Sequence, residues 1–415
     1  MRPGGSAMNE ERRHRLIDGS LEDYFRGKLS RRQLARRAAK LGGLSAVLLA
    51  LAPELQPIAA KARVRSYAIT AAMQDRQPIT DMTNEELLTF YEDVLPFTDV
   101  LPMDAGEIGG APITIGFSQT GFNHPWRVEM IKSAQAEVAR HPNVSMVITD
   151  GNVDIRKQNN DVDDLLAQEV DAIVMSPVES AGLAPAALKV MAAGKPLILL
   201  DRDVEVAKTV FIGQSNVTMA KGVGEVMVKL LEGKGNIVEL TGLIGSSPAI
   251  DRQKGMYEAL VEAPAITVVA SGDAEWIRDP AVKLMDDFLV ANEGINAVFS
   301  HAEESSWGAQ FSVARAGRCA ENILQFTHDA SNAGFQSVKD GLFAADGNYS
   351  PFIGDVGVRA ALMALQGMEI PDLQDYEFEG KLYRLPDLPV VTAENVDEWL
   401  GKGWGDFAPP ENPCA

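Results

Sequence analysis

Residues 170–201 read VDAIVMSPVESAGLAPAALKVMAAGKPLILLD, and this stretch decides the fold. Two short aliphatic runs, Ala172–Met175 and Leu197–Leu200, flank a helical pattern over Ala184–Ala193. A continuous apolar run suits a strand that is buried on both faces, so each run predicts a central strand of a parallel sheet. A strand, a helix and a second strand in this order form the repeating unit of a doubly wound α/β domain.

The same alternation extends on both sides of this unit. Further predicted strands are Ile113–Phe117, Val144–Thr149, Val210–Ile212, Asn236–Leu240, Thr267–Ala270, Ala297–Ser300 and Ile323–Thr327. Further predicted helices are Trp126–Arg140, Ile155–Gln168, Thr218–Glu232, Ala249–Glu262, Pro280–Ala291, Ser305–Arg315 and Asn332–Asp340. The tail is predicted to return through strands Tyr383–Leu388 and Val390–Val391 to a short helix, Ala393–Leu400.

The pattern therefore occurs twice, with a join near Gly213–Asn216. The predicted fold class is α/β, with two doubly wound parallel-sheet lobes joined by a multi-strand hinge. Lobe I is predicted to comprise residues 112–214 and 350–387, and lobe II residues 215–349 and 388–415.

The first 62 residues have the features of an export signal. They hold twelve Lys and Arg against six Asp and Glu, with the pair Arg31-Arg32 ahead of the apolar run Leu41–Ala52. The small residues Ala60 and Ala62 then offer a cleavage site. We predict a twin-arginine-type signal peptide over residues 1–62 and a periplasmic mature protein; the alternative is a buried core helix that follows basic residues.

Residues 63–111 are predicted to form an N-terminal arm that packs on the first lobe. They are irregular apart from one helical pattern over Thr83–Val94. After that helical pattern the chain is punctuated by Pro and Gly through Gly109-Gly110, which indicates an arm and not a domain of its own.

Composition excludes several classes of partner. The net charge of the 415 residues is −20, and without the basic first 62 residues it is near −26. An acidic body repels phosphate backbones and anionic lipid, so neither nucleic acid nor direct membrane insertion is expected. The sequence shows no metal-ligand spacing, cofactor motif or catalytic signature, and no cofactor, metal or enzymatic activity is predicted. The two cysteines, Cys319 and Cys414, are either free or paired.

Polar and aromatic side chains follow the predicted strands of both halves. They are Asn123, Trp126, Asp201 and Arg202 in the first half, and Arg252, Trp276, Glu303 and Asp329 in the second. Open parallel sheets bind ligands at the carboxyl ends of their strands, and two facing lobes place the ligand between them. Carboxylates, amides and guanidinium groups around aromatic rings suit a sugar, which presents hydroxyls and an apolar ring face.

Each of these residues also has a structural alternative. Asp201-Arg202 is also consistent with an exposed turn pair, Arg252 with a surface residue at a helix start, and Asp329 with a helix cap. Trp126 and Trp276 are equally consistent with packing aromatics. Their occurrence at successive strand ends of both lobes favours a shared ligand site.

These residues carry a family resemblance. Residues 113–392 resemble the periplasmic sugar-binding proteins of the ribose- and galactose-binding type, which serve ABC importers. The matching stretches are Asn123-His124-Pro125-Trp126, Asp154 to Ile173, Ser176-Pro177, Gly194 to Arg202, Asp251 to Gly255, Trp276, Ser305–Ala316 and His328-Asp329.

The resemblance implies roles for the residues. Asn123 and Trp126 would contact the sugar, and Trp276 would stack on its ring. Hydroxyls would be bonded by four charged residues, Asp201, Arg202, Arg252 and Asp329. The family often has an Asn-Asp pair where this chain has Ala302-Glu303, which makes Glu303 a candidate. Members of the family usually have a Gln or Asn on the last hinge strand. In this chain that position falls at Asn348, or at Tyr349 if the alignment shifts by one residue.

The function that the sequence predicts is an extracytoplasmic receptor that binds a monosaccharide or related polyol and delivers it to an ABC permease in the inner membrane. A monomer is expected. The alternative is a sensor of the same fold that presents its ligand to a membrane kinase or chemoreceptor. A secreted enzyme would need paired carboxylates, such as Glu303 and Glu304, beside a reactive bond. A transcriptional repressor is disfavoured by the export signal and the acidic charge.

Overall fold

The computed structural model describes residues 82–95, 97–375 and 380–414. The predicted signal peptide and the first part of the predicted arm lie outside these residues. None of the helices in the described ranges is both long enough and apolar enough to cross a membrane.

Strands and helices alternate along most of the described chain. The strands are β1 (Ile113–Gln119), β2 (Val144–Asp150), β3 (Ala172–Met175), β4 (Leu197–Leu200), β5 (Val210–Gly213), β6 (Lys234–Thr241), β7 (Ala265–Asp273), β8 (Ile295–Ser300), β9 (Leu324–His328), β10 (Ala345–Gly347), β11 (Gln374–Asp375), β12 (Lys381–Arg384) and β13 (Val391–Thr392). The helices are α1 (Asn84–Val94), α2 (Pro125–Ala139), α3 (Ile155–Ala167), α4 (Ala184–Ala192), α5 (Asn216–Leu230), α6 (Ser247–Leu260), α7 (Arg278–Ala291), α8 (Glu303–Arg315), α9 (Asn332–Lys339) and α10 (Gly354–Leu365).

The strands form two sheets. The first has the order β11-β12-β5-β4-β3-β1-β2, and all its neighbours are parallel except β11 and β12. The second has the order β13-β10-β9-β8-β6-β7, parallel except for β13. We call the first sheet with α1–α4 and α10 the first lobe, and the second sheet with α5–α9 the second lobe. The predicted α/β class with two parallel-sheet lobes is confirmed.

The central strands are buried on both faces, which explains their continuous apolar sequences. Every residue of β3 and β4 is buried, and both strands have the predicted bounds. Successive side chains of these strands pack on opposite faces of the sheet. Val174 belongs to one apolar cluster with α2 and α10, and Ile173 to another with α3 and α4.

The described part of the arm packs on the first lobe. A capping box between Thr83 and Glu86 begins α1. Leu87 and Tyr91 on this helix are buried in the same apolar cluster as α2. The fully buried Arg359 of α10 donates to the Tyr91 hydroxyl at 2.7 Å and to the Phe97 carbonyl at 2.8 Å, which ties the arm to the lobe.

Three segments connect the lobes: one after β5, one between β10 and α10, and one between β12 and β13. Gln214 in the first segment links all three. Its Nε2 donates to the Pro386 carbonyl at 3.2 Å, and its Oε1 accepts from the Ser350 amide at 3.1 Å. Gln214 thus hydrogen-bonds both of the other connecting segments.

Two predicted tail elements are wrong. The strand predicted over Tyr383–Leu388 ends at Arg384, and the Leu385 amide makes the last bond to the neighbouring strand, to the Gly213 carbonyl at 3.1 Å. The helix predicted over Ala393–Leu400 is only a 3₁₀ turn, Val396–Glu398. The side chain of Asn395 bonds the backbone of Thr392 and Val390 instead, and such local bonds compete with helix formation.

One helix is absent from the sequence-based prediction. Helix α10 is buried at ten of its twelve positions, so it lacks the polar face that gives a helix its recognisable period. The structure also joins Cys319 to Cys414 in a disulfide, with the two Cα atoms 5.5 Å apart. This bond fastens the C-terminal tail to the second lobe.

Candidate functional site

A cavity lies between the lobes at the carboxyl ends of their strands. It encloses about 330 Å³ of space, open solvent at its mouth included. The lining residues are His124, Trp126, Arg127, Asp201, Arg202, Pro248, Arg252, Trp276, Asp329 and Tyr349.

Both lobes and one connecting segment supply this lining. The loop after β1 and the start of α2 bring His124, Trp126 and Arg127, and the end of β4 brings Asp201 and Arg202. The second lobe contributes its residues from the start of α6 and from the loops after β7 and β9. Tyr349 belongs to the segment that follows β10. A molecule held in the cavity would therefore touch groups from both sides.

Two ion pairs face each other across the cavity, one from each lobe. In the first lobe, Arg202 Nε lies 3.4 Å from Asp201 Oδ2. In the second, Arg252 Nη1 lies 3.1 Å from Asp329 Oδ1. All four side chains are more than nine-tenths buried. Buried charges of this kind need further hydrogen bonds to offset their lost hydration.

Arg252 and Asp201 obtain those further bonds from the protein. Arg252 donates through Nε to Asn216 Oδ1 at 2.9 Å and through Nη1 to the His301 carbonyl. Asp201 Oδ1 accepts from the Tyr349 hydroxyl at 2.7 Å. Arg252 is only 2% exposed, so the solvated alternative for this residue is wrong.

A third guanidinium group gives the cavity an excess of positive charge. Arg127 is buried and donates through Nη1 to Asn123 Oδ1 at 2.6 Å. Among the described residues no carboxylate is paired with it, whereas the other two arginines each have one. Burial, reinforced by the positive charge of Arg202, lowers the pKa of Arg127 to about 9. A ligand rich in hydrogen-bond acceptors would offset this charge.

Aromatic rings form the remaining surface. Trp126 and Tyr349 stack with their ring centroids 5.5 Å apart. Two guanidinium groups lie near the Trp276 ring, with the Cζ atom of Arg252 at 5.2 Å and that of Arg202 at 5.7 Å from the ring centroid. A Cβ atom at Gly242 would come within 2.1 Å of the Trp276 ring, so the glycine makes room for the indole. The glycine that follows β6 therefore serves to accommodate the Trp276 ring.

Three lining residues adopt backbone conformations that L-residues rarely occupy. Asp201 has φ 63°, Trp276 has φ 71° and Asp329 has φ 129°. Such conformations cost roughly 1–3 kcal/mol each and persist where surrounding structure enforces them, often at functional sites. Asp329 does not cap α9, since Ser331 occupies the cap position and accepts from the Gly334 amide. The helix-cap alternative for Asp329 is therefore wrong.

Burial also controls the protonation of the site. It raises the pKa of Asp329 to about 7, with the negative charge of Asp201 adding to the effect and Arg252 opposing it. It lowers the pKa of His124 well below its usual value, with the neighbouring arginines adding to the effect. His124 is accordingly neutral at pH 7. Its Nδ1 accepts from the Trp126 amide, and its Nε2 lies 4.0 Å from Asp329 Oδ2.

Six of the nine residues predicted from sequence line the cavity. They are Trp126, Asp201, Arg202, Arg252, Trp276 and Asp329. Asn123 stands beside the lining and holds Arg127. Within the described residues, Glu303 and Asn348 lie outside the lining. The Glu303 carboxylate accepts from the Ser331 amide at 2.7 Å, and it supports the Asp329 loop from behind.

Four lining residues are absent from that set: His124, Arg127, Pro248 and Tyr349. His124 and Arg127 adjoin Asn123 and Trp126, but sequence alone does not tell which side chains at a helix start face the cavity. Tyr349 directly follows Asn348, and of the two only Tyr349 lines the cavity. The cavity side of this segment carries the tyrosine.

The fold and the site together define a two-lobed binding protein with a cavity between two parallel α/β lobes. Residues 115–369 match the model of the periplasmic binding protein domain, and the chain belongs to this family. The family resemblance predicted from sequence is thereby confirmed. Members of this family are substrate-binding proteins.

Known proteins agree with this assignment. The chain is 33% identical to the galactofuranose-binding protein YtfQ of Escherichia coli over 240 residues, which cover 56% of this chain and 75% of that protein. It is 30% identical to the ribose import binding protein RbsB of Bacillus subtilis, over 62% of this chain and 83% of that protein. Among solved structures, it is similar to the fructose-binding periplasmic domain of the hybrid two-component system BT1754. The TM-score is 0.64 and the identity 31%, over 69% of this chain and 93% of that domain.

Proposed function

We propose that this protein is the extracytoplasmic receptor of an ABC importer and that it binds a monosaccharide or a related polyol between its lobes. The observation that carries the proposal is that each lobe contributes one buried ion pair to the cavity beside the Trp276 ring. The pairs are Asp201–Arg202 and Arg252–Asp329. Relatives named for galactofuranose and ribose support a sugar as the ligand.

The chemistry of the lining suits a ring that carries several hydroxyls. The carboxylates of Asp201 and Asp329 accept from hydroxyls, and the three guanidinium groups donate to hydroxyl or ring oxygens. Trp276 Nε1 and His124 Nε2 are buried and have no hydrogen-bond partner in the described part of the chain. Buried polar groups are bonded in the great majority of cases, so both are further candidates to bond the sugar.

Closure of the lobes follows from this arrangement as part of the proposal. Contacts from both lobes are complete only when the lobes approach, so the ligand favours the closed state over the open one. Small-angle scattering tests the motion: a saturating sugar should lower the radius of gyration. An unchanged scattering profile at saturation contradicts hinge closure.

The ligand itself is best found by a thermal-shift screen. Pentoses, hexoses that form furanose or pyranose rings, polyols and cyclitols are each added in large excess over the protein, because stabilisation grows with the ratio of free ligand to Kd. A sugar that binds only the native state raises the melting temperature by mass action. Calorimetry then measures its affinity. No shift with any member of the panel contradicts the proposal.

A sensor of the same fold is the second candidate. The similarity to the fructose-binding periplasmic domain of a hybrid two-component system favours it. The two functions differ in the partner. If a neighbouring gene encodes an ABC permease, reconstituting the receptor with that permease in proteoliposomes should give sugar uptake. A neighbouring kinase gene and no transport would favour the sensor.

An enzyme is disfavoured by the position of the acidic pair that it would use. Glu303 bonds the Asp329 loop, and Glu304 is paired with Arg278 at 3.0 Å. Neither carboxylate lines the cavity among the described residues. No cluster of His, Cys, Asp and Glu in the described chain is suited to hold a metal ion.

The remaining parts of the proposal concern location and organisation. We place the mature protein in the periplasm, as a monomer exported through the twin-arginine-type signal over residues 1–62. The lobe boundaries that we propose are those predicted from sequence, with crossings near residues 214, 350 and 387.

A further inference from the structure

The C-terminal strap, residues 400–414, runs along the loop that carries Asp329. Asn332 donates its amide to the Trp404 carbonyl at 2.9 Å and its Nδ2 to the Gly405 carbonyl at 3.0 Å. The Gly403 amide donates to Asn332 Oδ1 at 2.9 Å. The disulfide to Cys319 holds the far end of the strap. The strap is therefore bonded to the second lobe at residues 403–405 and again at Cys414.

The contact between strap and loop is close. A Cβ atom at Gly403 would come within 2.6 Å of the Asn332 amide nitrogen and 2.8 Å of the Ala330 carbonyl oxygen. Only a residue without a side chain fits at this point. The strap lies outside residues 115–369, so it is an addition to the part of the chain that matches the family.

The loop beneath the strap is strained at the residue that lines the cavity. Asp329 has φ 129° and Ala330 has φ 64°, and neither residue is glycine. Strain of this kind persists only where neighbouring groups enforce it. Trp404 supplies such a restraint, because its indole Nε1 donates to the Asp329 carbonyl at 2.7 Å and the residue is buried.

Asp329 is thus held through its backbone and through its side chain. The backbone carbonyl of Asp329 is fixed by the Trp404 indole, and its carboxylate is paired with Arg252 in the cavity. Release of the carbonyl would let the backbone relax toward a common conformation and turn the carboxylate away from Arg252. We propose that Trp404 is a positioning residue for Asp329, so that the C-terminal strap sets the affinity of the sugar site. This inference rests on the proposed function.

The strap also approaches the first lobe. Trp404 belongs to the apolar cluster that contains Trp126, and it packs against Phe407 with ring centroids 5.6 Å apart. The charge of Asp406 contributes to a raised pKa of Glu129 on α2, after the larger effect of burial. The strap therefore packs against residues of the first lobe and also bonds the backbone of Asp329.

The test replaces Trp404 by Phe in the full chain, which keeps an aromatic ring and removes the N–H donor. Trp399→Phe is the matched control, since Trp399 precedes the strap and packs on Phe335 with ring centroids 6.1 Å apart. Calorimetry with the sugar from the screen should show about three- to ten-fold weaker binding for Trp404→Phe, the value of one lost hydrogen bond. Trp399→Phe should bind within two-fold of the parent.

A double-mutant cycle separates positioning from general loosening of the fold. In an Asp329→Asn background the further change Trp404→Phe should cost less than two-fold, because the carboxylate that it positions is already gone. Parent-like binding by Trp404→Phe overturns the inference. A full additional loss of three-fold or more in the Asp329→Asn background also overturns it.

Amide hydrogen exchange of the ligand-free protein gives a result that does not depend on the sugar. The amides of Ala330 to Asn332 should exchange at least ten-fold faster in Trp404→Phe than in Trp399→Phe. Equal exchange in the two variants overturns the inference whatever the screen returns. Faster exchange together with a parent that binds no sugar contradicts the proposed function alone, since the strap would still hold the loop.

Discussion

Replacing Arg252 by Ala should weaken sugar binding and also destabilise the ligand-free protein. The side chain is buried and bonds Asn216, His301 and Asp329 inside the protein. Loss of one charge-assisted hydrogen bond to the sugar corresponds to about 1.5–3 kcal/mol, which is roughly a ten- to hundred-fold change in Kd. The expected loss of stability reaches about 3 kcal/mol, because the Asp329 carboxylate would keep its burial and lose its cation.

Two assays separate these effects. Urea unfolding at pH 7 measures the loss of stability, and calorimetry at a temperature where the variant is folded measures Kd. Arg278→Ala is the matched control, since Arg278 lies in the same lobe and pairs with Glu304 away from the cavity. That variant should bind like the parent. A folded Arg252→Ala variant that binds within two-fold of the parent would refute the assignment of Arg252 to the site.

Three further predictions concern the pH dependence of sugar affinity, the aromatic stacking surface and export. Burial raises the pKa of Asp329 to about 7, and bonds from sugar hydroxyls favour the ionised form; affinity should therefore fall as the pH drops from 8 to 6. Asp329→Asn should abolish that fall, and the same pH profile in both proteins would exclude Asp329 as its source. Trp276→Ala should weaken binding by roughly five- to thirty-fold through loss of a stacking face, measured by calorimetry, and unchanged binding would place the sugar elsewhere. Changing Arg31 and Arg32 to Lys should leave uncleaved precursor in the cytoplasm on fractionation, whereas normal periplasmic accumulation would exclude a twin-arginine signal.

The elements that sequence analysis predicts well are those whose burial leaves a simple pattern. The all-apolar strands β3 and β4 have the predicted bounds, since strands buried on both faces carry no polar position. Helix α10 is buried to a similar degree, and its two charged residues, Asp355 and Arg359, are buried as well, so no exposed polar face marks its helical period. The short helix predicted in the tail fails because the side chain of Asn395 takes the backbone bonds.

The site shows a similar division. Residues at strand ends, such as Asp201 and Asp329, are predictable because the topology of parallel sheets brings those ends together. Arg127 and Tyr349 depend on the direction in which a side chain leaves its backbone, and the spacing of residues does not give that direction. The bond between Trp404 and Asp329 joins residues 75 positions apart, and no periodic pattern links them.

The central claim is that a sugar binds between the lobes on the residues described. A crystal structure of the protein grown with the sugar from the screen tests it most directly. We predict density for one sugar molecule in the cavity, with a ring face on Trp276 and hydroxyls within 3.2 Å, the usual hydrogen-bond limit, of Asp201 and Arg252. A sugar bound at another place, or none between the lobes at a concentration that saturates binding in solution, would contradict the account.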